Sequence, residues 1–590
     1  MPGRGSRYAS KVRTHDARVL RPLGLILALA GLALAGCGDD GGAGDPDAGV
    51  IDARLEGFEQ PDDVCPGAAH CATTGDGQLR VGAAAKVFTP TITETWTDEN
   101  NDGEWQTEEP YVDANHNGVF DAFWLFGGGR AANGVKSDLE ARAVVFREGD
   151  VTVALVYMDA IGLLGGDIDA IRNDPAMAQL GVDHVIVGSI HAHDAVDSIG
   201  LWGKDAFTSG YNAAYNRTLQ VAAVDAIRDA VAGLTPATMV IGSTLLLNTP
   251  GDRTSRTDHW NKDIRDPVIF DPTMTVARFV KVGQPDQTIA TVVNWADHPE
   301  MSAFGEDNLK VSSHYVHYLR DAIEDGITRA QLPRRATALP GVGGVTVFVQ
   351  GALGGQIGSI RGAPVPGPDG VPIIDSGHPK EEALGLNLGE RALELLRDDG
   401  ESVADLPLSY RSARFHARID NVGFQVAFII DLLAPHALVG YDATEAIGPN
   451  NTPWLPVTAT YLQIGPFALV TCPGEIHPEL WVGGYDGSWT WGWPLMDATK
   501  PNTPDLATAP AAPYLRDLML ANPGVRFPVL AGLAEDYVGY IVPAYNYVLN
   551  PESPYIDEAE GDHYEETYSL GPDVERHVVH PLMALVGYRP

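Results

Sequence analysis

"VIVGSIHAHDAVDS", residues 185–198, passes from apolar and β-branched residues straight into His191, Ala192, His193 and further polar side chains. A short continuous run rich in Val and Ile reads as a strand buried on both faces, the kind that α/β proteins cover with helices. Its polar residues begin where the strand stops. Beyond the carboxyl ends of such strands is where open α/β sheets bind ligands. Side chains alternate along extended backbone, so His-x-His is expected to bring both imidazoles to one side. The motif therefore reads either as part of a metal site or as a polar strand end.

The same pattern recurs along the chain. "LRVGAAAKVFTPT" (79–91) reads as an opening strand, and "ARAVVFREGDVTVALVYMDAIGLL" (141–164) as a hairpin turning at Glu148-Gly149-Asp150. Helical spacing over 211–234, 311–327 and 379–399 alternates with the strands "TIATVVNWADHPEM" (288–301) and "VTVFVQGALGG" (345–355). Further strand-like segments follow residue 405, among them "YLQIGPFALVTCPGEIHPEL" (461–480). This alternation predicts an α/β fold, a mixed sheet core with flanking helices. His298 and Glu475 also stand just past apolar strands, so the segments are expected to converge with His191. Two imidazoles and a carboxylate form the commonest catalytic zinc sphere, with a position left for water.

Composition narrows the function. The 590 residues carry 78 acidic against 40 basic side chains, a formal charge of -38, which repels phosphate backbones and excludes nucleic acid as the expected partner. Arg4, Arg7, Lys11, Arg13, Arg18 and Arg21 precede the apolar run 23–36, which ends in "LAGC" (34–37). That arrangement is similar to a bacterial lipoprotein signal, with Cys37 as the acylated residue, and implies an exported lipoprotein at the outer membrane or cell surface, on its periplasmic or extracellular face. Residues 1–37 are then signal and lipobox, 38–78 a Gly/Asp-rich flexible tether with a small cysteine loop, and 79–590 the catalytic domain. Cys65 and Cys71 are close enough in sequence to form a local disulfide in an oxidising compartment. Cys472, in an apolar stretch, reads as a buried, inert thiol.

Within 97–121 lie two short acidic patterns. Asp98, Asn100, Asp102 and Gly103 follow D-x-N-x-D-G, and Asp113, Asn115, Asn117, Gly118 and Asp121 a shorter version. Alternating oxygen side chains around a glycine turn suit a hard cation such as Ca2+, while a solvated acidic loop is the plainer alternative.

Several segments, taken in order, resemble the neutral, or alkaline non-lysosomal, ceramidases from about residue 79 to 575. "VGAAAKVFTPT" is similar to the family's opening V-G-x-x-x-x-D-I-T-P strand, "YMDAIGL" to its strand ending in aspartate, and "GSIHAHDA" to S-x-T-H-T-H-S-G. "NWADHPEM" matches N-W-x-x-H-P, and "CPGEIHPEL" the P-G-E segment. "DYVGYIVPAYNY" followed by "HYEETYSLGP" resembles Y-x-G-Y-x-x-T-x-x-x-Y and Y-E-G-x-x-x-x-G-P. The resemblance implies a zinc ion on His191, His298, Glu475 and Tyr540. It places His193 beside the metal-bound water as proton carrier and Tyr564 at the substrate carbonyl. The implied activity is hydrolysis of the amide bond of ceramide or a related N-acyl lipid.

There are departures. Where the family has N-x-G-D-x-S-P-N this chain has "QGALGGQIGS" (350–359), with Gly355 in the serine's place. "HAHDAVDS" lacks the S-G-P-G continuation, and no segment corresponds to the family's C-terminal immunoglobulin-like domain. Two alternatives follow: a zinc esterase or amidase on a non-sphingolipid substrate, or a non-catalytic calcium-binding surface lipoprotein. Asp159, Asn294 and Arg361 are candidate supports of the site, and His477 either a partner of its ligands or a surface residue. The oligomeric state is not legible.

Overall fold

The hairpin expected at Gly149 is present, Glu140–Glu148 pairing antiparallel with Val151–Met158 in a computed structural model. The structure describes residues 60–589 except 206, 247–259, 262, 305–307, 358–363, 434, 435, 437 and 449. Cys37 with its apolar run, and Arg361, lie outside the described residues.

The hairpin belongs to a mixed sheet in the order Val345–Gln350, Gln284–Trp295, Thr273–Lys281, Thr235–Leu245, Arg80–Val87, Glu140–Glu148, Val151–Met158, His184–Ser189, with Glu401–Val403 also paired to Thr235–Leu245. Only the two outermost pairings are parallel. His184–Ser189 and Val151–Met158 are buried throughout, which accounts for their unbroken apolar character. Helix Ala213–Ala232 lies on Arg80–Val87 and Glu140–Glu148. Its first turn is capped by Asn212, whose side-chain oxygen accepts from the Ala214 and Tyr215 amides. Gly82 permits this close packing, since a Cβ there would sit 1.9 Å from Ala230 O. Tyr315–Glu324 and His378–Asp398 pack together as a second helical layer.

A second, five-stranded sheet follows the order Asp63–Cys65, Leu408–Arg418, Trp454–Ile464, Phe467–Thr471, Phe527–Ala531, its last pairing parallel. The sequence reading puts residues 63–71 in the tether. In the structure Asp63, Val64 and Cys65 pair with Ser412, Arg411 and Tyr410, and Cys65 and Cys71, joined by a disulfide, are buried in the main core. Backbone pairing and apolar burial bind the loop to the body.

The two sheets meet at the carboxyl ends of their parallel strands. Gly532 N donates to Gln350 O at 2.8 Å, and Ser189 N to Leu533 O at 3.0 Å. Gln350 Nε2 donates at 3.0 Å to both Ile190 O and Asp297 O, drawing the opposite edges of the large sheet together. No helix among the described residues is long and apolar enough to cross a membrane.

Candidate metal centre

Three strand ends feed this junction. His184–Ser189 leads into His191 and His193, Gln284–Trp295 into His298, and Phe467–Thr471 into Glu475. The two-residue strand Glu475–Ile476 then pairs in parallel with Tyr540–Ile541, setting Glu475 opposite Tyr540. Strand alternation does not itself place the imidazoles. Extended pairing ends at Ser189, and His191 adopts a left-handed φ of 66° that turns its ring inward. The rings nevertheless come together, His191 and His193 with centroids 4.8 Å apart and His191 and His298 5.1 Å.

His191 Nδ1 lies 2.7 Å from Ile161 O, and His298 Nδ1 3.0 Å from Gln356 O. A carbonyl only accepts, so each Nδ1 carries the proton and each Nε2 presents a lone pair. Those two Nε2 atoms face the same carboxylate oxygen: Glu475 Oε2 is 3.3 Å from His191 and 2.9 Å from His298. The Tyr540 hydroxyl is 3.0 Å from His298 Nε2, and the Tyr537 hydroxyl donates to Glu475 Oε1 at 2.8 Å. All five side chains are buried. Two lone pairs and a carboxylate oxygen thus converge with one phenolic proton between them, a donor set that fits a divalent cation such as zinc.

The electrostatics agree. Burial alone would raise the Glu475 carboxyl, but without a cation the charge and hydrogen bonds of His191 and His298, when protonated on Nε2, outweigh it and hold the group well below the usual range. Burial pushes His298 down, against Glu475 beside it. Tyr540 is pushed well above its ordinary value by burial and then by the Glu475 charge, and a cation would act in the opposite sense.

His193 differs from its neighbours. Candidate ligand atoms of His191, His193 and His298 lie within 4.8 Å of one another, so three imidazoles could hold an ion. Yet neither ring nitrogen of His193 has a hydrogen-bond partner, whereas the other two rings are fixed through Nδ1. Burial, then His191 and His298, push its pKa well below the ordinary value and keep it neutral. His193 and Glu475 line a pocket of about 340 Å³, open mouth included, with Phe126, Trp202, Tyr564 and Tyr568. The Tyr564 ring stands edge-on to Tyr540 at 5.6 Å.

Sequence reasoning missed Tyr537, Phe126 and Trp202. Tyr537 is the first tyrosine of "DYVGY", and that motif was the available signal. The Phe126 ring lies tilted against two others, its centroid 4.0 Å from His193 and 4.8 Å from Trp202, a contact between loops with no sequence signature. Of the candidate supports, Asn294 donates to Val349 O and Leu530 O, tying the sheets together, while Asp159 pairs with Arg320 below the site. His477 is fully buried, its ring 6.0 Å from Tyr540, which removes the surface alternative. Gly355 takes a φ of 83°, and a Cβ there would lie 2.7 Å from Asp263 Oδ1, so a serine does not fit unless Asp263 moves. Cys472 is buried, and burial raises its thiol pKa. Trp489, Trp491 and Trp493 pack with Phe270 rather than lining the pocket.

A second buried group, Asp194, His314 and Glu381, also brings ligand atoms within 4.8 Å. Its carboxylates are already engaged by Arg130, Ser302, Ser312 and His378, a hydrogen-bonded network that needs no ion. The two acidic loops share one geometry. Asp98 accepts from the Asp102 and Gly103 amides as Asp113 does from Asn117 and Gly118, and Asn100 and Asn115 each accept from the amide two residues on. Asn115 and Asn117 amides donate to Asp121 Oδ2.

No protein-family model matches this chain, and no curated protein does. Solved structures do. A ceramidase described as complexed with C2 is 14% identical, with a TM-score of 0.53 over 86% of this chain and 75% of that one. The neutral ceramidase from Pseudomonas aeruginosa is 15% identical, with a TM-score of 0.51 over 86% of this chain and 74% of that one. The chain has a divergent ceramidase-like α/β fold.

Proposed function

We propose, with that fold as premise, that this chain is a zinc-dependent hydrolase that cleaves the amide bond of ceramide or a related N-acyl lipid. One observation carries the reading: His191 Nε2, His298 Nε2, Glu475 and Tyr540 converge beneath an aromatic-walled pocket. These four residues would hold zinc, which when bound supplies Lewis acidity toward a carbonyl oxygen and lowers the pKa of water.

The chain's own groups supply the rest. His193, buried and neutral at the pocket wall, takes the proton released as water adds to the acyl carbon and returns it to the departing amine nitrogen. Tyr564 donates its hydroxyl proton to the developing oxyanion. Phe126, Trp202 and Tyr568 offer apolar surface to an acyl chain and shield the reacting atoms from bulk water.

Zinc-loaded protein is expected to release fatty acid from a short-chain ceramide. Failure on ceramide together with turnover of simple N-acyl amides or esters favours a zinc amidase or esterase on another substrate, the second reading that the Asp263-filled space at Gly355 supports. A metal-free, inactive protein with intact fold would leave the non-catalytic surface lipoprotein.

The acidic surface and the Cys65–Cys71 disulfide support export to an oxidising compartment, with Cys37 as the proposed lipid anchor. We assign the loops at Asp98 and Asp113 to structural calcium. Millimolar Ca2+ is expected to raise the melting temperature by about 2–4 °C relative to chelator, corresponding to about 2–4 kcal/mol in a domain of about 500 residues. An unchanged melt would return both loops to plain acidic turns.

A further inference from the structure

We propose that Glu300 is a positioning residue for His193, holding its Nδ1–H so that Nε2 is the nitrogen presented to the pocket. This rests on the proton-carrying role given to His193 above.

The three histidines at the site are not held alike. His191 and His298 each commit Nδ1 to a backbone carbonyl, while His193 has no such partner. A buried imidazole left in that state can carry its proton on either nitrogen, and only one choice leaves a lone pair toward the substrate. Glu300 Oε2 lies 3.7 Å from His193 Nδ1, and Glu300 is 2% exposed. The other carboxylate near the ring, Glu475, already faces His191, His298 and Tyr537.

The approach of Glu300 is fixed by backbone. His193 N donates to Pro299 O at 3.0 Å, Glu300 N to His298 O at 3.1 Å, and Ala303 N to Glu300 O at 3.1 Å. The loops carrying the two side chains are thereby tied to each other. Phe126, 4.0 Å away, covers the His193 ring. The separation of 3.7 Å exceeds a hydrogen bond, and catalytic hydrogen bonds often tighten only when substrate is bound. A carboxylate can only accept, so it favours the Nδ1–H tautomer and opposes a lone pair on the same edge of the ring. Acidic residues that orient a catalytic imidazole in this way are a recurrent arrangement in hydrolases.

The test uses zinc-loaded protein labelled with [15N]histidine. Wild type is expected to show His193 as the Nδ1–H tautomer. Glu300→Met removes the acceptor at similar volume, and is expected to convert His193 to Nε2–H or a mixture. Its kcat on a short-chain ceramide should fall about 100-fold, with KM changed less than about twofold and zinc content kept. Glu300→Gln, which retains an acceptor, should recover part of that loss. An unchanged His193 tautomer in Glu300→Met, or an unchanged kcat, overturns the proposal. The spectrum decides even if wild type turns over no N-acyl substrate, an outcome that counts against the proposed activity alone.

Discussion

His298→Ala will purify folded but with less than about a tenth of a zinc ion per chain, against about one in wild type, and amide hydrolysis will fall at least about 1000-fold. The imidazole is central to the cluster, its Nε2 within 3.0 Å of both the Glu475 carboxylate and the Tyr540 hydroxyl. Alanine deletes one of the proposed ligands and opens a cavity in a fully buried position. Altering a mere partner of a ligand weakens metal binding about 10–100-fold, so losing a ligand should exceed that range. Metal analysis by mass spectrometry, with a thermal melt as control for folding, reads the result. His193→Ala is the informative contrast, since it should keep zinc and lose turnover. Full zinc occupancy in His298→Ala would refute the assignment, and zinc loss in His193→Ala would make His193 a ligand.

Arg320→Met will destabilise the protein by about 3–5 kcal/mol, because it strands a buried carboxylate. Asp159 and Arg320 form two parallel hydrogen bonds, Nη1 to Oδ1 at 2.7 Å and Nη2 to Oδ2 at 2.8 Å, with almost no exposure of either side chain. Burial alone would lower the guanidinium pKa, and Asp159 more than reverses this. The backbone amide of Glu140 also donates to Asp159 Oδ2. The pair lies at the foot of the site, since Asp159 directly precedes the Ala160 and Ile161 carbonyls that receive His191 N and Nδ1. Denaturant unfolding measures the cost. The double substitution Asp159→Leu with Arg320→Met should regain much of it, as two apolar side chains leave no charge uncompensated. A loss below about 1 kcal/mol in Arg320→Met would mean that water reaches Asp159.

Much of the site was legible because its residues follow apolar strands, and strands announce themselves by composition. The runs ending at His191, His298 and Glu475 are strands in the structure, each buried where it approaches the site. Their meeting at one junction follows from the rule for sheet ends. Sheet order was not legible. Pairing Thr235–Leu245 with Thr273–Lys281 depends on through-space register, and the half-buried alternation of Thr235–Leu245 gives a weak local signal. The split into two sheets was hidden for the same reason. The left-handed turn at His191 was also unreadable, since residue type favours glycine there and only the surrounding hydrogen bonds hold a histidine in it. Gly355 shows the converse: the sequence displayed a missing serine, and the structure shows Asp263 against that position.

The Nδ1 contacts of His191 and His298 are made to the main chain at residues 161 and 356. A carbonyl oxygen is present whatever amino acid occupies the position. Orientation of both imidazoles is therefore a property of backbone path, and at 356 the buried Gln356 side chain helps to keep that path, its Oε1 accepting from Asn261 and its Nε2 donating to Ala352 O. The fold likeness to the two ceramidase structures stands at 14–15% identity, while no curated protein matches the sequence.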